Sequence, residues 1–226
     1  MQKLQLVVFD MAGTTIDEQN AVYKAIYQAL DEAGYDCTLD LVLELAAGKE
    51  KRQAIKDVLS YLIDDEPFDT MIDAIHEDFK MKLDEVYASG IAQPMSDAAK
   101  VFEALRQQNV KVALNTGYSR EVAEMLLDQV GWQVGKEIDV LVTASDVTQG
   151  RPHPAMILEA MRQTGISDPA TVAKIGDSAI DIEEGHRAGC GLVAGVLTGA
   201  QNYAQLSQAK PTHIFNHLSE LLEVMY

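Results

Sequence analysis

The stretch Val7–Thr15, VVFDMAGTT, decides how the rest of the chain is read. An apolar run delivers an aspartate, Asp10, into a turn whose Gly13 and paired Thr14 and Thr15 suit an anion better than a hydrophobic core. In open α/β sheets ligands bind beyond the carboxyl ends of the strands, so a strand ending on a carboxylate and a turn is a candidate cleft floor. Two residues after Asp10, where a second acid would stand to share proton transfer, is Ala12.

Working outward, four more short apolar runs end in turn residues: VKVALNTG, DVLVTASD, ATVAKIGDS and GLVAGVLTG. Longer stretches with helical spacing, such as DAAKVFEALRQQN and REVAEMLLDQVG, separate them. Strands alternating with helices predict a doubly wound parallel sheet covered on both faces, a Rossmann-like α/β core. Between Thr15 and Gly90 the pattern changes to amphipathic helices: NAVYKAIYQALDEAG, TLDLVLELAAG, KRQAIKDVLSYLI and the acidic TMIDAIHEDFKMKLDEVYA. The expectation is an all-helical insertion over residues 16–90 in a core formed by residues 1–15 and 91–226. ASGIAQPMSD reads as the return linker, and the acidic helix around Asp73 to Glu85 as a solvated face.

The chain has 226 residues, 47% of them hydrophobic, and a formal net charge of −17. A mostly acidic surface repels polyanions, which argues against general nucleic-acid binding and against an anionic membrane surface. A small anionic substrate must then be attracted locally, by a metal or a few placed cations. The opening MQKLQLVVFD is too short an apolar run for a signal peptide and no later run approaches a membrane span, so the expected compartment is the cytoplasm. Cys37 and Cys190 lack metal-binding or redox spacing and read as small buried hydrophobes. Neither G-x-G-x-x-G after the first strand nor a Walker A stretch is present, which disfavours a nucleotide-binding oxidoreductase.

Polar clusters at successive strand ends fit phosphoryl chemistry. Asp10 could attack phosphorus and form an aspartyl-phosphate, splitting one hard displacement into two easier ones. Thr116 and Gly117 in LNTGYSR offer a hydroxyl and open amides to phosphate oxygens, and Arg151 in GRPHP offers a fixed cation. Asp177 and Asp181 in IGDSAIDI stand at i and i+4, a pair suited to a divalent cation, with Mg2+ favoured by an all-oxygen donor set. Taken singly, each has a plainer reading as a helix cap, an ion pair or a dipole partner. Together, and in this order, one cleft explains them better than separate accidents do.

DMAGTT, NTG, GRPHP and GDSAIDI in that order resemble the motifs of the haloacid dehalogenase superfamily, and within it the phosphonatase branch. The resemblance covers nearly the whole chain and implies a helical cap inserted just after the first motif. It implies Asp10 as nucleophile, Thr14, Thr116 and Gly117 around the phosphate, Arg151 as the third-motif cation, and Asp10, Asp177, Asp181 and the Ala12 carbonyl at Mg2+. Most phosphatases of that superfamily carry an acid where Ala12 stands; the phosphonatase branch has alanine there because its leaving group is carbon. A cap lysine forms a Schiff base with the substrate aldehyde, and the family's glycine and lysine match Gly48 and Lys51 in AAGKEKRQAI. Lys49, Arg52 and Lys56 crowd the same segment and are expected to lower the pKa of Lys51 by repulsion. Tyr118 matches a tyrosine that lines the family's site.

Departures from that pattern bear on substrate. The family's histidine three residues after the lysine is Ala54 here, a cysteine in the first helix is Asn20, and the tryptophan after the nucleophile is Met11. His153 is present in GRPHP and is expected to pack or cap. The expected substrate is a small phosphonate, with a small phosphate monoester as alternative, and a catalytically weak phosphate-binding regulator as the reading of another class. Homodimerisation through the cap is implied at family level.

Overall fold

All five residues of the run ending on Asp10 are buried, as a parallel strand covered on both faces requires. The computed structural model describes residues 3–64 and 67–225. The chain runs β1 (Leu6–Asp10), β2 (Ile16–Asp17), α1 (Ala21–Glu32), α2 (Leu39–Ala46), α3 (Lys51–Leu62) and α4 (Asp69–Ala88), and returns through β3 (Gln93–Pro94). Helices and strands then alternate: α5 (Ala98–Gln107), β4 (Lys111–Thr116), α6 (Arg120–Val130), β5 (Val140–Thr143), α7 (Ala155–Thr164), β6 (Val172–Gly176), α8 (Ala179–Ala188), β7 (Leu192–Val196), α9 (Tyr203–Gln208), β8 (His213–Phe215) and α10 (Leu221–Val224).

The large sheet is parallel, in the order β5-β4-β1-β6-β7-β8. Alternation along its central strands sorts side chains to two covered faces. Val7, Phe9, Val112 and Leu114 share a core with Phe102, Leu105 and Leu126, where the Phe9 and Phe102 rings lie 5.5 Å apart. Leu6, Val8 and Ala113 pack instead with Met156, Ile157 and Ala160 of α7. The register sets Asp10 opposite Asn115 and Thr116 opposite Thr143, so the polar ends of several strands meet on one rim.

The helical insertion is present. α1 packs on α4 and α2 on α3, burying Val22, Ile26 and Leu30 from one stripe and Ile72, Ile75, Phe79 and Leu83 from another. The acidic side chains of α4 face solvent, and Asp69 and Asp73 pair with Arg52 at 2.9 and 2.7 Å. The return segment is more than a linker: Asp17 and Ile16 pair antiparallel with Gln93 and Pro94, so a short two-stranded ribbon ties both crossings together. Thr15 accepts a further backbone bond from Met95 at 2.9 Å. No helix among the described residues is long and apolar enough to cross a membrane. Cys37 is buried and Cys190 half-buried, and both are free thiols.

Candidate active site

The turn after β1 is tight: the Thr15 hydroxyl donates to the Asp10 carbonyl at 3.0 Å, and the Ile16 carbonyl accepts from Gly13 at 2.9 Å. Thr15 is thus occupied by its own turn, whereas the buried Thr14 hydroxyl has no hydrogen-bond partner among the described residues. The Asp10 side chain, 7% exposed, meets Arg151 Nη1 at 2.6 Å. Arg151 is held from several sides, reaching Asp181 at 3.0 Å, Glu184 at 3.1 Å, and the Asn115 carbonyl and amide oxygens at 2.8 and 2.6 Å. Lys174, fully buried in β6, bonds the same Asn115 oxygen at 2.6 Å and pairs with Asp181 at 2.9 Å. The Asn115 amide nitrogen completes the lattice by donating to both Glu184 oxygens at 3.0 Å.

Asp10, Asp177 and Asp181 each offer a carboxylate oxygen within 4.8 Å of the others. With Glu184 these buried carboxylates outnumber the two buried cations of the core, Arg151 and Lys174. Burial drives Asp177 well above the usual carboxylate range, and Asp10 and Asp181 push it further, although the Ala200 amide donates to it at 2.6 Å. Burial also raises Asp10, against the pull of Arg151. Burial pushes Asp181 up too, but Arg151 and Lys174 outweigh it and leave this carboxyl below its ordinary value. Three hard oxygen donors with surplus negative charge in a dry cleft fit a divalent cation. Ala12 is half-buried at the edge of this turn, and Thr116 Oγ1 accepts from the Tyr118 amide at 3.2 Å, which leaves the threonine's own proton to donate.

The cap closes the cleft through two glycines. Gly48 has φ +71, and a side chain there would collide with Ser178 and Ile180 of the core. A Cβ on Gly117 would come within 3.1 Å of the Lys49 carbonyl. Between these contacts lies Lys51, only 8% exposed, its ammonium 5.4 Å from the Tyr23 ring centroid and 5.2 Å from that of Tyr118, and bonded to the Lys49 carbonyl at 2.9 Å. Burial lowers its pKa, Asp10 opposes that, and Arg151 adds to it. A cavity of about 240 Å³ opens beside it, lined by Lys51, Tyr118, Gly117, His76 and Phe79.

Two expectations need correction. Lys49 and Arg52 do not supply the repulsion on Lys51, because Lys49 is paired with Asp57, and Arg52 with Asp69 and Asp73. Desolvation and Arg151 lower the lysine instead. His153 is exposed and the helix that follows it has no side-chain cap, so it neither packs nor caps as expected. The remaining candidates do converge: Asp10, Thr116, Arg151, Asp177 and Asp181 from the core, with Gly48 and Lys51 from the cap. Sequence reasoning missed Asn115, Lys174 and Glu184, and the cap-side carboxylate Glu18. A lysine inside an apolar strand run is itself a signal, since such a residue is rarely buried unpaired.

Residues 7–195 match the family model of haloacid dehalogenase-like hydrolases. The chain is 32% identical over 213 residues to the phosphonoacetaldehyde hydrolase of Vibrio vulnificus, covering 87% of this chain and 76% of that one. The fold is shared with a phosphonoacetaldehyde hydrolase-like protein from Oleispira antarctica, TM-score 0.83 at 22% identity, covering 99% of this chain and 91% of that one. It is shared equally with a predicted phosphoglycolate phosphatase from Haemophilus somnus, TM-score 0.81 at 21% identity over 100% of both chains. The chain belongs to the haloacid dehalogenase-like hydrolase family and is a hydrolase built on a Rossmann-like core with an inserted helical cap.

Proposed function

We propose that this hydrolase cleaves the carbon–phosphorus bond of a small aldehyde or ketone phosphonate, with Asp10 as nucleophile and Lys51 as electron sink. The observation that carries the reading is the pairing of Ala12 with a lysine buried in the same closed cleft as Asp10. Ala12 cannot protonate an alkoxide leaving group, and a carbon leaving group does not ask it to. Asp10, Asp177, Asp181 and the Ala12 carbonyl would hold Mg2+, which when bound neutralises charge on the phosphoryl oxygens. The cap, residues 16–90, brings Lys51 over the core, residues 1–15 and 91–226, and excludes water.

The Lys51 amine adds to the substrate carbonyl and loses water to give an iminium. Asp10 Oδ then attacks phosphorus, and the electron pair of the breaking carbon–phosphorus bond moves into the iminium as an enamine. Water hydrolyses the aspartyl-phosphate to free phosphate, and protonation and hydrolysis of the enamine release the dephosphonylated carbonyl product and the lysine. Thr14, Thr116 and the Gly117 amide bind phosphoryl oxygens, while Arg151 keeps Asp10 aimed. Tyr118 and Tyr23 wall the lysine; Gly48 gives the loop room to reach the core.

The test is phosphate release from phosphonoacetaldehyde with Mg2+. The native protein is expected to release phosphate, and Asp10→Asn and Lys51→Arg to abolish it, since arginine keeps the charge but forms no imine. A folded native protein that releases none contradicts the substrate assignment. A second reading, hydrolysis of a small phosphate monoester with Lys51 gripping the phosphate, is favoured by Ala54, fully buried in the cap where the family's histidine would stand. Release from a phosphate ester but not from the phosphonate would select it.

A further inference from the structure

The turn between β7 and α9, residues 197–202 (LTGAQN), takes no part in the mechanism above, yet its polar groups reach into the metal-ligand loops. Both of its ends are anchored elsewhere: the Leu197 amide donates to the Phe215 carbonyl at 2.9 Å, and Asn202 caps α9 by accepting from the Gln205 amide at 3.1 Å. The four residues between make contacts that neither anchor needs. The Thr198 hydroxyl donates to the Gly13 carbonyl at 2.7 Å, 185 residues away in the chain. The Ala200 amide donates to Asp177 Oδ2 at 2.6 Å. The Gln201 side-chain oxygen accepts from the Ala179 amide at 2.7 Å, giving α8 the cap that the Ser178 side chain does not provide.

Gly199 shows how closely the turn is fitted. Its φ lies outside the left-handed region, so what excludes a side chain is space: a Cβ there would stand 2.0 Å from Asp177 Oδ2 and 2.5 Å from its Cβ and Cγ. Gly13, at φ +76, meets the same carboxylate, since its own Cβ would fall 2.5 Å from Asp177 Oδ2 and 2.9 Å from the Gly199 Cα. The Asp177 carboxylate is thus wedged against two bare stretches of backbone and one amide donor.

Such a wedge has work to do. Asp10, Asp177 and Asp181 bring carboxylate oxygens within 4.8 Å of one another, and their repulsion pushes a mobile side chain out of the site when no cation is bound. A cation is held best by ligands whose directions are already set by outer partners. This turn partners Asp177 directly, Asp181 through the capped first turn of α8, and the Ala12–Gly13 peptide through Thr198. The Gly13 amide, in one plane with the Ala12 carbonyl, is tied to the Ile16 carbonyl at 2.9 Å, so the peptides on both sides of Gly13 are fixed.

We infer that residues 198–201 form a positioning clamp for the divalent cation, holding Asp177, Asp181 and the Ala12 carbonyl in place before the ion arrives. The inference rests on the ligand set proposed above. Thr198 and Gly199 act through those ligands and are positioning residues.

The test is Mg2+ binding to the substrate-free protein by titration calorimetry, alongside thermal unfolding in EDTA. The native protein is expected to bind Mg2+. Thr198→Val keeps the side-chain shape and removes the donor; it should raise the Mg2+ Kd by about 10- to 100-fold. Its melting temperature in EDTA should stay within about 4 °C of native, as loss of one hydrogen bond implies. Thr198→Ser should return the Kd to near native. Gly199→Ala should weaken binding further, because its Cβ displaces the Asp177 carboxylate; if that variant does not fold, the two Thr198 variants decide alone. Native Mg2+ affinity in folded Thr198→Val, at whatever melting temperature, overturns the clamp and leaves the ligand set standing, as does a loss that Thr198→Ser fails to restore. No Mg2+ binding by the folded native protein overturns the ligand set, and the clamp with it.

Discussion

The core and the cap bury positive charge in opposite ways. In the core, Arg151 and Lys174 are each surrounded by carboxylates and by Asn115, so nearly every donor has a partner and the side chains are locked. In the cap, Lys51 is equally dry but has one carbonyl and two tyrosine faces. A cation in the first setting is held charged, and removing it strands several buried acids. A cation in the second is discouraged from staying charged, which is what a nucleophilic amine needs. The same residue type thus serves as scaffold on one side of the cleft and as reagent on the other.

This contrast is open to direct attack by paired substitution. Lys174→Met should destabilise the fold by about 3–5 kcal/mol in urea unfolding, because Asp181 and Glu184 lose a buried partner. A loss below about 1 kcal/mol would mean the core lattice is not held together by its charges. Glu18, 2% exposed and bonded to the Tyr87 hydroxyl, gives an intermediate effect that depends on pH. Burial lifts its folded pKa to about 7, above the ordinary 4.5, so the folded state binds the extra proton. Stability therefore falls as pH rises between those values, by an amount on the order of 3 kcal/mol if the full shift is expressed. Glu18→Gln should flatten that part of the curve relative to the native protein; parallel curves would contradict the burial assigned to Glu18. Lys51→Met should be the mildest change for stability, within about 1 kcal/mol of native, since it removes an ammonium with little to compensate its burial.

Legibility in the sequence divides along the same line. The strands ending on Asp10, Thr116 and Gly176 announced themselves by apolar runs that stop at polar turns, and the site residues following them inherited that clarity. β8 was not seen, because three residues beginning with His213 carry too little apolar signal. Asn115 and Glu184 stood beside recognised residues: one precedes Thr116, and the other lies one helical turn after Asp181 on the same face. Glu18 was hidden for a different reason. DEQN reads as a polar turn, and nothing local shows that Tyr87, 69 residues later, folds back to cover it. The cap side of the cleft is made by long-range packing of helices, which periodicity describes one helix at a time.

The most direct test of the central claim is an NMR titration of the lysine side-chain nitrogens in the closed protein, with Lys51 assigned through Lys51→Arg. The account predicts that Lys51 loses its proton at a distinctly lower pH than the exposed lysines, and that it is the resonance abolished by reductive trapping with phosphonoacetaldehyde. A Lys51 that titrates together with the surface lysines would contradict the account.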